Sequence, residues 1–236
     1  MRGLFVTGTD TAAGKTAVSA ALIAAITASG EPVRAYKPVV TGLEDQLDRR
    51  TGWPHDHELL ASLAAMTPAD VSPLRYGPAA SPHLAAQLAG ERIAAADLLA
   101  AAQALAANAI AACATVIVEG VGGLLVPLTD DCSVCDLAAE LSLPLVIAAR
   151  PGLGTINHTL LTVRAARAAG LEVQAVVLTP WPDQPRELEL SNRETIERLG
   201  EVEVKTLAQI ARPERDELAR AGESLPWRRW LARSAG

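Results

Sequence analysis

Short, wholly apolar runs alternate along the chain with longer runs whose apolar residues recur every three or four positions. Residues 4–6 form the first short run. Residues 15–29 follow, with Val18, Leu22, Ile23 and Ile26 at helical spacing and Gly30 as the stop. Residues 32–40 read as a second strand carrying Tyr36, Lys37 and Pro38 towards its end. Residues 41–54 are polar and hold Gly42, Gly52 and Pro54, a loop composition. Helices are expected over 57–66, 82–89 and 95–113. Residues 115–118 are β-branched and fully apolar, as a strand buried on both faces of a parallel sheet must be. A helix over 136–141, a buried strand over 145–149, a helix over 159–169, a strand over 173–178 and a helix over 185–199 complete the alternation. Such alternation predicts an α/β fold, a doubly wound and mostly parallel sheet with helices on both faces. No repeat or long linker divides it, so residues 1–236 are expected to form one domain.

The 236 residues carry a formal charge of −6 and are 50% hydrophobic. That length suits one self-supporting core. The acidic balance and mixed charges argue against nucleic acid as the main partner. The N-terminal segment enters an apolar run at once, without the charged region of a signal peptide, and no stretch has membrane-spanning length. A soluble, cytoplasmic protein without a membrane partner is therefore expected. Residues 226–232 hold Trp227 and Trp230 among arginines. A terminal helix docking its tryptophans on the domain is the favoured reading, with a membrane-surface helix as the alternative. Cys132 and Cys135 form a Cys-x-x-Cys pair without the second pair that a four-ligand zinc site needs. They read as small apolar residues, with redox work as the alternative.

Of 21 basic side chains only Lys15, Lys37 and Lys205 are lysine. The background favours arginine, so a lysine at the end of a strand-like run is conspicuous: it is a compact charge that fits beside phosphate. Lys15 lies in Gly8-Thr-Asp-Thr-Ala-Ala-Gly14-Lys15-Thr16, between a strand and a helix. Backbone N–H groups of such a loop, Ala12, Ala13 and Gly14 included, converge on phosphate oxygens, and the helix N-terminus adds positive charge. Lys15 would reach the β- and γ-phosphates and the Thr16 hydroxyl would bind Mg²⁺. Five residues separate the two glycines where the standard loop has four. Glu119 ends an apolar strand, and strand C-termini share the edge that bears the loop, so it is a second candidate for Mg²⁺. Gly120, Val121, Gly122 and Gly123 follow it and leave backbone N–H groups free for a ligand. Asp56 opens a helix between His55 and His57; it is either an N-cap or a further carboxylate on the metal. Lys37 shares the loop edge, where a fixed cation would offset the repulsion between a phosphoryl group and an anionic acceptor.

Taken in order, Phe5-Val-Thr-Gly-Thr-Asp-Thr with Gly14-Lys-Thr16, Tyr36-Lys-Pro-Val39 with Thr41-Gly42, Ser81-Pro-His83, Val118-Glu-Gly-Val-Gly-Gly-Leu124 and Leu153-Gly-Thr-Ile-Asn-His158 resemble the dethiobiotin synthases. The resemblance covers about residues 1–180, and the five-residue loop spacing belongs to it. It implies a Mg²⁺- and ATP-dependent closure of 7,8-diaminononanoate and CO₂ into a cyclic urea, through a carbamate and a carbamic–phosphoric anhydride, in a homodimer. It implies Thr16, Asp56 and Glu119 as metal ligands. Lys37 would neutralise the carbamate, with Lys15 and Thr11 also catalytic. Thr11 and Thr41 would bond substrate or phosphate, and Gly122 would contact the diamine. Gly154 and Asn157 would take the substrate's carboxylate tail across the dimer interface. Thr206, Leu207 and Ala208 are placed near the base. The chain departs from the family twice. Ala12 stands where an acidic residue is common. Thr179-Pro180 stand where an asparagine often reads adenine, so the expected nucleotide is ATP or another triphosphate.

Two other classes share parts of this pattern. A partition-type switch ATPase shares the fold, but usually carries an extra lysine early in the loop, and residues 9–13 have none. A cobyrinate-type amidoligase needs a glutaminase domain with a nucleophilic cysteine, for which this chain is too short.

Overall fold

The computed structural model describes residues 1–44 and 52–233. Six strands, β1 (Gly3–Gly8), β2 (Val33–Tyr36), β5 (Thr115–Glu119), β6 (Leu145–Ala149), β7 (Val173–Trp181) and β8 (Val204–Ala208), form one sheet in the order β2-β5-β1-β6-β7-β8. Every pairing in it is parallel. A second sheet pairs β3 (Val39–Val40) with β4 (Leu74–Arg75). The expected doubly wound α/β architecture is what the chain forms.

Alternation along β1 sorts the core. Leu4 and Val6 face α1 (Lys15–Ala28), α2 (Asp56–Ala64), α9 (Arg215–Glu223) and α10 (Trp227–Arg233). Phe5 faces the opposite side, with α5 (Ala95–Ala111) and α6 (Val134–Leu141). Further along that side α7 (Thr155–Ala168) and α8 (Glu187–Gly200) cover Ile147, Val176 and Leu178. Two short helices, α3 (Pro68–Val71) and α4 (Pro82–Leu88), complete the described elements. Within α1 every residue from Val18 to Ile26 is buried, because α2, α9 and the sheet surround it. Gly222 of α9 lets the two helices touch backbone to backbone: a Cβ there would lie 2.1 Å from the Ala21 oxygen.

The expected strand over 32–40 is two strands. β2 stops at Tyr36; Lys37 N–H donates to the Val71 oxygen, and Pro38, which has no N–H for a ladder, precedes β3 in the other sheet. The helices expected from 57, 136 and 159 begin earlier, at Asp56, Val134 and Thr155. The helix expected over 185–199 runs from Glu187 to Gly200. The expected loop 41–54 lies partly outside the described residues, at 45–51. Two elements after residue 200, β8 and α9, were not expected. Trp227 and Trp230 are fully buried, so α10 docks on the domain and its tryptophans are unavailable to a membrane surface. Among the described residues no helix is long and apolar enough to cross a membrane. Cys132 and Cys135 are buried free thiols, with burial raising both above the ordinary thiol value.

Candidate active site

The phosphate loop connects β1 to α1; its path demands glycine at Gly14 and is tight at Gly8. Gly14 has φ 94°, and a Cβ on it would lie 2.3 Å from Cγ2 of Thr179. A Cβ on Gly8 would meet Lys15 Cγ at 3.1 Å and Ala13 Cβ at 3.3 Å. The loop also holds one residue with a Cβ in the left-handed region, Ala12 at φ 54°, at a cost of about 1–2 kcal/mol. Lys15 turns back so that Nζ donates to the Asp10 oxygen at 3.0 Å. The Asp10 carboxylate itself accepts from the Thr11 N–H at 2.7 Å.

Three elements bring charge beside that loop. Glu119, the last residue of β5, is fully buried. Its Oε1 accepts from Lys37 Nζ at 2.6 Å and from Thr16 Oγ1 at 2.9 Å. Lys37 Nζ also donates to Asp56 Oδ2 at 2.5 Å. Asp56 is therefore not the N-cap of α2. His55 holds that position, and the aspartate occupies the first helical residue with its carboxylate turned to Lys37. The ammonium of Lys37 is thus clasped by two carboxylates from elements far apart in sequence.

Burial acts against every charge here, and partners decide the outcome. For Lys15 burial prevails, helped by repulsion from Lys37. Glu119, Asp56 and Asp10 only partly restore its charge, and its pKa falls to about 8. For Lys37 burial is outweighed by Asp56 and Glu119, which hold the ammonium above the ordinary lysine value. Asp56 is also opposed by burial, but Lys37, the Thr16 hydroxyl and Lys15 prevail and its carboxyl titrates below the ordinary range. Its side chain keeps 40% of its exposure, so solvent shares in that balance.

The donors facing the loop are hard oxygens: the Thr16 hydroxyl and the carboxylates of Asp56 and Glu119. Glu119 Oε2 is buried and has no hydrogen-bond partner among the described residues. A carboxylate oxygen withdrawn from water and left without a donor is suited to a divalent cation, and this donor set fits Mg²⁺.

The chain is 45% identical over 180 residues to an ATP-dependent dethiobiotin synthetase of Anaeromyxobacter dehalogenans, covering 75% of this chain and 76% of that one. The chain belongs to the dethiobiotin synthetase family. A second synthetase of that name, from Novosphingobium aromaticivorans, is 39% identical over 215 residues, 90% of this chain and 92% of its own. A family model described as an AAA domain matches residues 2–214. Among solved structures, the signal recognition particle receptor FtsY of Elizabethkingia anophelis superposes with a TM-score of 0.51 at 12% identity. It covers 94% of this chain, which spans 65% of the receptor chain, and shares the fold alone.

Within this dethiobiotin synthetase fold most of the other expected residues lie around the phosphate loop or on β7 and β8, and two stand apart. Thr11 and Gly122 lie together, since a Cβ on Gly122, at φ 61°, would be 3.6 Å from Thr11 Oγ1. Gly123 lies over the phosphate loop, its Cβ direction 3.6 Å from the oxygens of Gly8 and Thr9. Gly120 is packed against Val134 and Phe5, and Val121 is half-buried beside it. Thr41 is half-buried in the turn beyond β3. Thr179 is buried against Gly14, while Pro180 is exposed. On β8, Thr206 is half-buried, Leu207 is a core side chain and Ala208 is exposed, so Leu207 offers a ligand only its backbone. Gly154 and Asn157 stand apart. They begin α7 after β6, two strands from β5 and so about 10 Å away by the usual spacing. With Ile156, Leu160, Leu161 and Arg164 they line an open depression of about 390 Å³.

Two contacts of the loop were not foreseen in the sequence. Asp10 supplies the carbonyl that holds Lys15, and Arg150 donates from Nε to the Ala12 oxygen at 2.9 Å. Arg150 was open to discovery by the rule that strand C-termini line the ligand edge, since it directly follows β6.

Proposed function

We propose that this chain closes the ureido ring of dethiobiotin from 7,8-diaminononanoate, CO₂ and ATP or another nucleoside triphosphate. The observation that carries this reading is Lys37: a buried ammonium held beside the phosphate loop by Glu119 and Asp56. A kinase acting on a neutral hydroxyl has little need of a second buried lysine there. An anionic acceptor does, because its attack on a triphosphate sets like charges against each other.

In this reading one amine of the substrate adds to CO₂ and loses a proton, giving a carbamate. The carbamate oxygen attacks the γ-phosphorus, the nucleoside diphosphate leaves, and a carbamic–phosphoric anhydride results. The second amine attacks the carbonyl carbon and expels phosphate as the five-membered urea closes. Lys37 sits opposite the transferring group and neutralises the carbamate. Lys15 follows the β- and γ-phosphates, and the N–H groups of Ala12, Ala13, Gly14 and Thr16 cradle the tail. Thr16, Asp56 and Glu119 would hold Mg²⁺, which supplies charge neutralisation on the phosphate oxygens. Gly120, Val121 and Gly122 present backbone, and Thr11 and Thr41 present hydroxyls, to the diamine and phosphate. Thr179, Pro180 and residues 206–208 line the path to the base. Gly154 and Asn157 face a second copy of the chain in a homodimer and take the substrate's carboxylate tail there, in the cytoplasm.

Purified protein given the diamine, bicarbonate, Mg²⁺ and each nucleoside triphosphate in turn should release phosphate and a cyclic urea in equal amounts. Phosphate release that does not depend on the diamine would overturn the assignment. Lys37→Ala should retain nucleotide binding and lose turnover, whereas Lys15→Ala should lose both.

A further inference from the structure

Arg150 has no ion-pair partner among the described residues, and its one hydrogen bond runs from Nε to the carbonyl oxygen of Ala12 at 2.9 Å. That carbonyl belongs to a trans peptide whose other polar group is the Ala13 N–H. The two point in opposite directions by the planarity of the peptide. Ala13 N–H has no acceptor among the described residues. It lies between two residues of left-handed backbone, Ala12 at φ 54° and Gly14 at φ 94°, the kind of path that turns successive N–H groups towards an anion.

We propose that Arg150 is a positioning residue for nucleotide binding: its grip on the Ala12 carbonyl turns the Ala13 N–H into the phosphate cradle. The proposal rests on the nucleotide-site reading above and adds to it the residue that follows β6. The guanidinium is not required as a charge. What acts is the Nε–H, which stands four side-chain atoms from the backbone, the same place as the amide nitrogen of glutamine. Lysine keeps the charge but moves its donor one atom further out.

The test is calorimetric titration of Mg·ATP and ADP into the full chain and into Arg150→Leu, Arg150→Gln and Arg150→Lys, with steady-state kinetics beside it. The side chain is exposed, and thermal melts of all three should match the parent. Arg150→Leu should weaken both nucleotides about ten-fold, raising the nucleotide KM more than it lowers kcat. Arg150→Gln should restore binding to within about three-fold of the parent. The proposal is overturned if Arg150→Leu binds like the parent, or if Arg150→Gln binds as poorly as Arg150→Leu while Arg150→Lys recovers. Lys15→Ala separates the two levels of the argument. If it binds nucleotide unchanged, the nucleotide site is misplaced and the Arg150 proposal falls with it. If it loses binding while Arg150→Leu does not, only the role of Arg150 is refuted.

Discussion

Lys37 carries two tasks that pull against each other. Its ammonium compensates Glu119, which is fully buried, and in the proposed reaction it is also the cation aimed at the reacting group. Removing it strands a buried carboxylate, so Lys37→Ala should cost about 3 kcal/mol of stability as well as the reaction. Lys37→Gln keeps a donor for Glu119. It should melt nearer the parent yet turn over no better than alanine, a split that urea unfolding and the phosphate assay read separately. Gly14 is the other residue on which the site turns. Gly14→Ala meets both an unfavourable φ and the methyl of Thr179, for a loss of about 3 kcal/mol. Thr179→Ser removes that methyl. In a double-mutant cycle it should return part of the stability lost, and no return would mean that backbone strain alone is at work. At this scale the phosphate-loop lysine, Thr16 and Glu119 could be read directly, because glycine spacing and strand ends announce them. The partner of Lys37 on α2 could not: Asp56 looks equally like a helix cap, and only tertiary packing shows that its carboxylate turns to the lysine.

The elements that sequence periodicity found are those with continuous apolar runs or full helical faces. Those it missed lack both. In β8 only Val204 and Leu207 are buried, as befits an edge strand, and in α9 only Leu218 and Gly222. A polar helix that rests on one leucine and one glycine has no stripe to detect. The apolar residues 39–40 misled in the opposite direction, since they continue the composition of β2 across a proline that ends its ladder. The C-terminal helix is pinned through Glu203, the residue before β8, whose carboxylate accepts from Trp230 Nε1 at 3.1 Å and also bonds Arg229 and Lys205. Burial would raise the pKa of Glu203, but these donors outweigh it and lower it. A carboxyl lowered on folding contributes stability above its unfolded pKa, and that contribution is lost as pH falls through the folded value. Glu203→Gln should therefore be about 1 kcal/mol less stable than the parent at pH 7. The gap should narrow below the ordinary glutamate value of about pH 4.3, as followed by urea unfolding across pH.

For the molecule as a whole, the parallel sheet gathers the ends of β1, β2, β5 and β6 at one edge, and with them Gly8, Lys37, Glu119 and Arg150. For Gly8, Lys37 and Glu119 this placement was legible from alternation and strand polarity alone; Arg150 was overlooked. Strand order was not, because nothing in a run of valines says which neighbour it will have. A ligand that binds only this assembled edge should stabilise the entire fold. At a hundred times its dissociation constant Mg·ATP should add about 2.7 kcal/mol. That corresponds to roughly 5–10 °C in the melting temperature of a chain of this size. Lys15→Ala should abolish the rise, and a rise that survives the substitution would place the nucleotide elsewhere.

The unbroken burial of α1 from Val18 to Ile26 bears on how the site can work. A helix walled in on every side is a fixed post: tilting or sliding it would tear open the interior. The glycine turn mounted on its end therefore has a rigid foundation, while the stretch after Glu119 and the turn at Thr41 lie outside that helix packing. Amide exchange should be slower in the post than in those two segments, and a bound triphosphate should slow the segments far more than the post.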